Sequence, residues 1–174
     1  MVRAGGRHGH TLLVWVSGRR SGRISVAGLA CFKAGQPSRF FYRMQDHRLR
    51  PGTRRAMSEA DYASLITAAH RYLDAPVIVI WDNLNTHLSR KMRAFTTGHP
   101  DWLTVIQLPA YAPDLNPVEG AWSVMKRNLG NLAPGTTSQL TTAMRHQLDR
   151  IQRQHNLITG FLGQAGLTLD PQPP

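Results

Sequence analysis

Two acidic residues of this basic chain stand where carboxylates can do chemistry. Asp82 closes the run VIVIWD behind five consecutive apolar residues, and Glu119 lies in LPAYAPDLNPVEGAWSVMKRNLG beside Asn116 and Pro117. Burying a carboxylate is costly unless a cation or hydrogen-bond donors neutralise it. A hard divalent cation shared by Asp82 and Glu119 would meet that cost, because Mg2+ takes one or two carboxylates together with water and phosphate oxygens. Asn83, Asn85 and His87 follow Asp82 directly and could orient it or touch a ligand.

Each of these residues also has a plainer reading. Asn116 as N-cap, Pro117 at the first helical position and Glu119 at the third make a capping box with the favoured proline. An acid after a strand often begins a turn, a histidine in a polar loop often caps, and Trp81 and Trp122 suit a core. The rest of the helix weighs against capping alone. Val118, Trp122, Met125 and Leu129 form a narrow apolar stripe. Glu119 and Lys126 are seven residues apart on one edge of it, so an acid and a base border the same buried face. A plain surface ion pair prefers spacings of three or four.

The elements that must carry these residues are legible in outline. TLLVWV (11–16), RISVAGLACF (23–32) and SRFFYR (38–43) are β-rich runs separated by SGRRSG and KAGQP, as in an antiparallel meander. A basic loop, MQDHRLRPGTRR, is expected next. Ser58 caps a helix with Asp61 three residues on and Tyr62, Leu65, Ile66, Ala69 and Leu73 on one face, until Pro76. VIVIWD (77–82) and LTVIQL (103–108) read as buried strands covered on both faces, with a short helix over 88–97 between them. A helix begins near Pro117, and a last one near Ser138 sets Leu140, Met144, Leu148 and Ile151 in register. Strands alternating with helices after a meander predict an α/β fold with a mixed sheet. Ligands of such sheets gather beyond the carboxyl ends of the parallel strands, where Asp82 sits.

Composition bounds the partners. Lysine and arginine number 21 against 10 acidic residues, a net charge of +11, in a chain of 174 residues that is 41% hydrophobic. That is one folded domain whose surplus charge favours polyanions, nucleic acid first. Cys31, the lone cysteine, excludes an intrachain disulfide and a cysteine-cluster metal site, and reads as a small buried hydrophobe. No apolar run nears the ~20 residues of a membrane span, and LLVWV is too short for a signal segment. The expected setting is intracellular, without a membrane.

VIVIWDNLNTH, then 36 residues between Asp82 and Glu119, then LPAYAPDLNPVEGAWSVMKR, resembles the insertion-sequence transposases of the IS six-thirty and mariner-type superfamily. The similarity spans about residues 11–150 and implies a DDE endonuclease domain with a ribonuclease-H-like fold, a mixed sheet flanked by helices. It further implies two divalent ions, Mg2+ or Mn2+, held by three acids for metal-dependent DNA cleavage and strand transfer. By position Asp82 matches the second acid and Glu119 the third. Asn83, Asn85, His87, Asn116 and Pro117 would support them, and Lys126 would sit near DNA. Arg19, Arg20, Arg23, Arg48, Arg50, Arg54 and Arg55 are the expected phosphate contacts.

The pattern departs from the family at one point. The family's first aspartate precedes the segment matching HTLLVWVSGRRSGRISVAG, where this chain has few residues and none acidic. Asp46, Asp61 and Asp74 are poor substitutes, lying in a loop, a helix start and a helix end. The expected organisation is a flexible basic terminus (1–10), an endonuclease domain lacking its first strand (11–160) and a tail (161–174). Three functions compete. The chain is a transposase catalytic fragment, a catalytically dead DNA-binding remnant, or an unrelated basic α/β interaction module. The resemblance implies DNA as partner, a bacterial cytoplasmic and nucleoid setting, a homodimer, and an upstream transposase polypeptide as the source of the missing acid.

Overall fold

The computed structural model describes residues 2–4, 12–16, 23–47, 56–110, 112–130 and 136–169, the first two segments as backbone pairing only. Four strands form an antiparallel sheet in sequence order: β1 (Val2–Ala4), β2 (Leu12–Val16), β3 (Arg23–Cys31) and β4 (Arg39–His47). A second sheet pairs β5 (Val77–Trp81) in parallel with β6 (Leu103–Gln107). The α/β character is as expected, but the mixed sheet is divided into these two parts.

β4 runs four residues past the predicted strand, because Met44–His47 pair in register with Arg23–Val26. Gln45, Asp46 and His47 are polar and look like loop, yet the backbone ladder decides, and Asp46 lies in β4 opposite Ile24, not in a loop. His47 is buried on Ser25, its Nε2 3.0 Å from the hydroxyl oxygen.

β3 alternates its side chains between two helical layers, as the period of two requires. Ile24 and Val26 face α3 (Val118–Gly130), α4 (Thr137–Arg153) and α5 (His155–Gln164). Ala27 faces α1 (Glu59–Leu73) and the inner side of β5 and β6. α1 begins with the capping box foreseen at Ser58: Asp61 accepts from the Ser58 amide at 2.8 Å and hydroxyl at 2.7 Å. The same carboxylate lies 3.0 Å from Arg43 Nε, tying the helix start to β4. Asp61 is thus occupied structurally.

α3 and α4 bury the stripes read from sequence: Trp122, Met125 and Leu129 on one, Leu140, Met144, Leu148 and Ile151 on the other. α5 was not foreseen. It follows α4 after the single residue Gln154, and Phe161, Leu162 and Ala165 are core residues, not tail. Cys31 is buried as expected.

The parallel strands depart from expectation. Val79 and Trp81 are buried against α1 and α2 (Arg90–Thr97), but Ile78 is 65% and Ile80 45% exposed. The α3–α5 layer covers β3 and β4 and leaves the outer face of β5 and β6 uncovered among the described residues. A continuous apolar run therefore belongs here to a half-covered strand.

Candidate active site

One cleft collects both carboxylates. Its floor is Val26–Leu29 of β3 and Val79–Asp82 at the end of β5, and its walls are Tyr62, Leu65 and Ile66 of α1 and Val118, Glu119 and Trp122 of α3. Leu84, His87 and Asn116 complete the lining. Asp82 and Glu119, which have 36 residues between them in the chain, thus line one space.

Asp82 is held from one side. Its Oδ1 accepts from the Leu84 amide at 3.1 Å, an Asx turn, and lies 3.1 Å from His87 Nδ1. His87 is wedged, its ring stacked on Trp81 at 4.7 Å and meeting Tyr62 edge-on at 4.8 Å. Packing fixes the imidazole, and the imidazole fixes the carboxylate. Among the described residues no group bonds Asp82 Oδ2, which leaves that oxygen for a ligand.

Glu119 is set by the entry to α3. A short 3-10 turn, Pro113–Leu115, leads in, and the Asn116 amide donates to Pro113 O at 2.9 Å. The Asn116 side chain accepts from Val118 N at 3.2 Å, and Gly120 N donates to Pro117 O at 3.1 Å. Asn116 therefore caps as read, while its amide, which a capping box aims at the glutamate, serves the 3-10 turn. Glu119 also borders a second cavity lined by Asp114, Asn116, Gly120, Ser123 and Phe161. Sequence reasoning passed over Asp114, whose signal was its place in the same proline-rich loop.

Two close approaches hold the walls. A Cβ at Gly28 would lie 2.7 Å from Trp122 and 2.8 Å from Phe40 ring carbons, so β3 needs glycine to let Trp122 against the sheet. At Gly120 a Cβ would lie 2.4 Å from the Phe161 ring, so α5 packs directly behind Glu119.

The remaining predicted residues divide. Asn83 turns away from the cleft: its amide donates to Leu108 O at 3.1 Å and its carbonyl accepts from Gln107, tying the end of β5 to β6. Asn85 is exposed and Pro117 shapes the helix entry; neither lines the cleft. Lys126 is also absent from the lining, because two helical turns carry it about 10 Å along α3 from Glu119. The acid and base share a stripe edge without sharing the cleft. Arg23 is half-buried at the start of β3, its Nε out of contact with solvent. Arg19, Arg20, Arg48, Arg50, Arg54 and Arg55 lie outside the described residues.

The donor set suits one hard cation. Asp82 and Glu119 would offer carboxylate oxygens to one cleft, a number Mg2+ accepts when water and phosphate supply the rest. Among the described residues no group of three His, Cys, Asp or Glu could hold a metal ion, so these residues do not by themselves complete a two-ion site. Likewise, no helix among them is long and apolar enough to cross a membrane.

Residues 3–141 match the family model described as DDE superfamily endonuclease. The chain belongs to that family. No curated protein matches it. Among solved structures, the catalytic domain of Mos1 mariner transposase aligns at 15% identity and a TM-score of 0.48, over 91% of this chain and 81% of that one. The simian T-cell lymphotropic virus intasome in complex with PP2A regulatory subunit B56 gamma aligns at 14% identity and a TM-score of 0.39, over 83% of this chain and 50% of that one.

Proposed function

We propose that the chain is the catalytic domain of an insertion-sequence transposase, which cuts and joins DNA with Mg2+ or Mn2+. The observation that carries this reading is the shared cleft of Asp82 and Glu119 in a member of the DDE endonuclease family. Asp82 and Glu119 would hold the cation, which when bound would supply Lewis-acid stabilisation to phosphate oxygens. His87 and the Leu84 amide keep Asp82 aimed, Asn116 and Pro117 fix Glu119, and Trp81 and Trp122 keep the inner wall dry. The net charge of +11 draws DNA to the protein. The enzyme works on the bacterial nucleoid, and a two-fold homodimer is its simplest assembly.

The third carboxylate arrives on a further strand. Among the described residues, β2 pairs with β3 only from Arg23 to Val26, and β5 pairs only with β6. The cleft separates the remaining edge of β3 from β5, between α1 on one side and α3 on the other. A strand added there would satisfy both edges and deliver an acid beside Asp82 and Glu119. It comes from an upstream segment, in the same polypeptide or a separate one.

A plasmid-nicking assay with Mg2+ or Mn2+ tests this. The 174-residue chain is expected to nick little or not at all, since in-line displacement needs both the attacking and leaving oxygens stabilised. An acid-bearing upstream segment, fused or co-expressed, should confer nicking, and Asp82→Asn or Glu119→Gln should abolish it. Robust nicking by the chain alone that survives both substitutions refutes the assignment. DNA binding without cleavage under every supply favours the second reading, a remnant without turnover, whose support is the pair of acids where the family uses three.

A further inference from the structure

We infer that α2 is a phosphate-binding face, which grips the backbone of double-stranded DNA at the rim of the cleft. The inference rests on the DNA-cleaving reading above and names a contact surface that reading does not require. α2 carries Arg90, Lys91 and Arg93, all exposed, and no acidic residue in its first turn. No acid occurs anywhere from Asn83 to Pro100. No ion pair engages these three cations among the described residues.

This arrangement costs stability. Arg90 and Lys91 occupy the first turn, where the helix dipole favours anions and disfavours cations. Arg90 and Arg93 are like charges three apart on one surface, a repulsive spacing. Elsewhere the fold obeys the rule: α1 opens on Glu59 and Asp61 and closes on His70 and Arg71, and α4 closes on Arg150 and Arg153. An external anion would turn the α2 pattern from unfavourable to favourable.

Geometry says which anion. Met92 is fully buried and anchors the helix, so Arg90 points away from the core with Lys91 and Arg93 to either side of it. Ser89 caps α2 through the Met92 amide at 3.2 Å. His87 of the cleft wall is three residues before Arg90, a reach of at most about 11 Å along the chain. The cations therefore follow closely on a cleft residue without lining the cleft themselves. A duplex whose scissile phosphate lies at Asp82 and Glu119 presents its neighbouring phosphates to this fan.

The test compares two triple variants by fluorescence anisotropy with a short duplex of arbitrary sequence, titrated with KCl. One is R90A/K91A/R93A. The other is R145A/R150A/R153A on the exposed side of α4, which removes the same charge. Three lost phosphate contacts reduce the salt slope by about 2.7, so a fourfold rise in salt weakens wild-type binding about 40-fold more than it weakens the α2 variant. The α4 variant should keep a slope near wild type. The melting temperatures should move oppositely, up or level for the α2 variant and down for the α4 variant, as the dipole argument requires. Equal slope losses in both triples, or an unchanged slope in the α2 variant, overturn the inference and leave the DNA reading standing. Absence of binding by the wild-type chain at low salt overturns the DNA reading itself.

Discussion

Gly120→Ala probes the packing that sets Glu119. Two effects oppose each other. Replacing a helical glycine by alanine stabilises by roughly 0.5–1 kcal/mol through lower backbone entropy in the unfolded chain. Against this, the new methyl would sit 2.4 Å from Phe161 Cδ1 and 2.7 Å from Cγ, atoms of a rigid, fully packed ring. Overpacking of that kind costs typically about 1–3 kcal/mol, and the severity of this overlap argues for the upper part of the range. The net expectation is a loss of about 1–2 kcal/mol, or some 2–8 °C in Tm for a chain of this size. The mechanism is checked by urea denaturation in a second background. Leucine at position 161 can turn aside, so Gly120→Ala should cost nothing or stabilise in the Phe161→Leu protein. A coupling of at least about 1 kcal/mol between the two sites is expected, as for residues in contact. A neutral Gly120→Ala in the native background, or strict additivity with Phe161→Leu, would refute the placement of α5 behind Glu119.

Other predictions follow from single groups. Burial pushes the Cys31 thiol up to about 12, so the native protein should resist a thiol reagent at pH 8 and react promptly in urea. The raised value favours the neutral thiol, so its contribution to stability is complete below the unfolded value near pH 9 and is lost as pH rises toward 12. Cys31→Ala should flatten that alkaline limb of a pH–stability curve, and an unchanged limb would contradict the burial argument. Ser58→Ala removes the N-cap of α1 and should cost about 1 kcal/mol in urea denaturation. Asp61→Asn loses the Arg43 ion pair and weakens the cap, so its defect should appear in stability and leave DNA affinity unchanged.

How much the sequence disclosed depended on whether local pattern or distant contact decided each element. The stripes of α3 and α4 and the capping box at Ser58 are local signals, and each packs as its spacing required. The strand-end position of Asp82 and the helix-start position of Glu119 were equally legible, although their meeting in one cleft is a tertiary fact. α5 was missed because Gly160 and Gly163 dilute its helical signal and no side chain caps its start. Tertiary packing makes it a core helix, with Ile158, Phe161 and Leu162 buried and Phe161 against Gly120. The exposure of Ile78 and Ile80 was illegible for a related reason, since an apolar run cannot state which of its faces has a neighbour. Asn83 looked like a site residue by adjacency, but just past the end of β5 its side chain bonds Gln107 and the Leu108 carbonyl instead. Lys126 shares an edge with Glu119, and helical rise alone separates them.

The central claim is that Asp82 and Glu119 act together on one divalent cation, and Mn2+ titration of the purified chain followed by electron paramagnetic resonance tests it most directly. The account predicts one bound Mn2+ per chain, weakened at least about tenfold by Asp82→Asn and by Glu119→Gln, with the double variant little worse than either, because residues of one site are not additive. His87→Gln, which keeps the fold and loosens the carboxylate, should weaken binding to a lesser degree. Mn2+ affinity that is the same in the wild type and in both carboxylate variants would contradict the account.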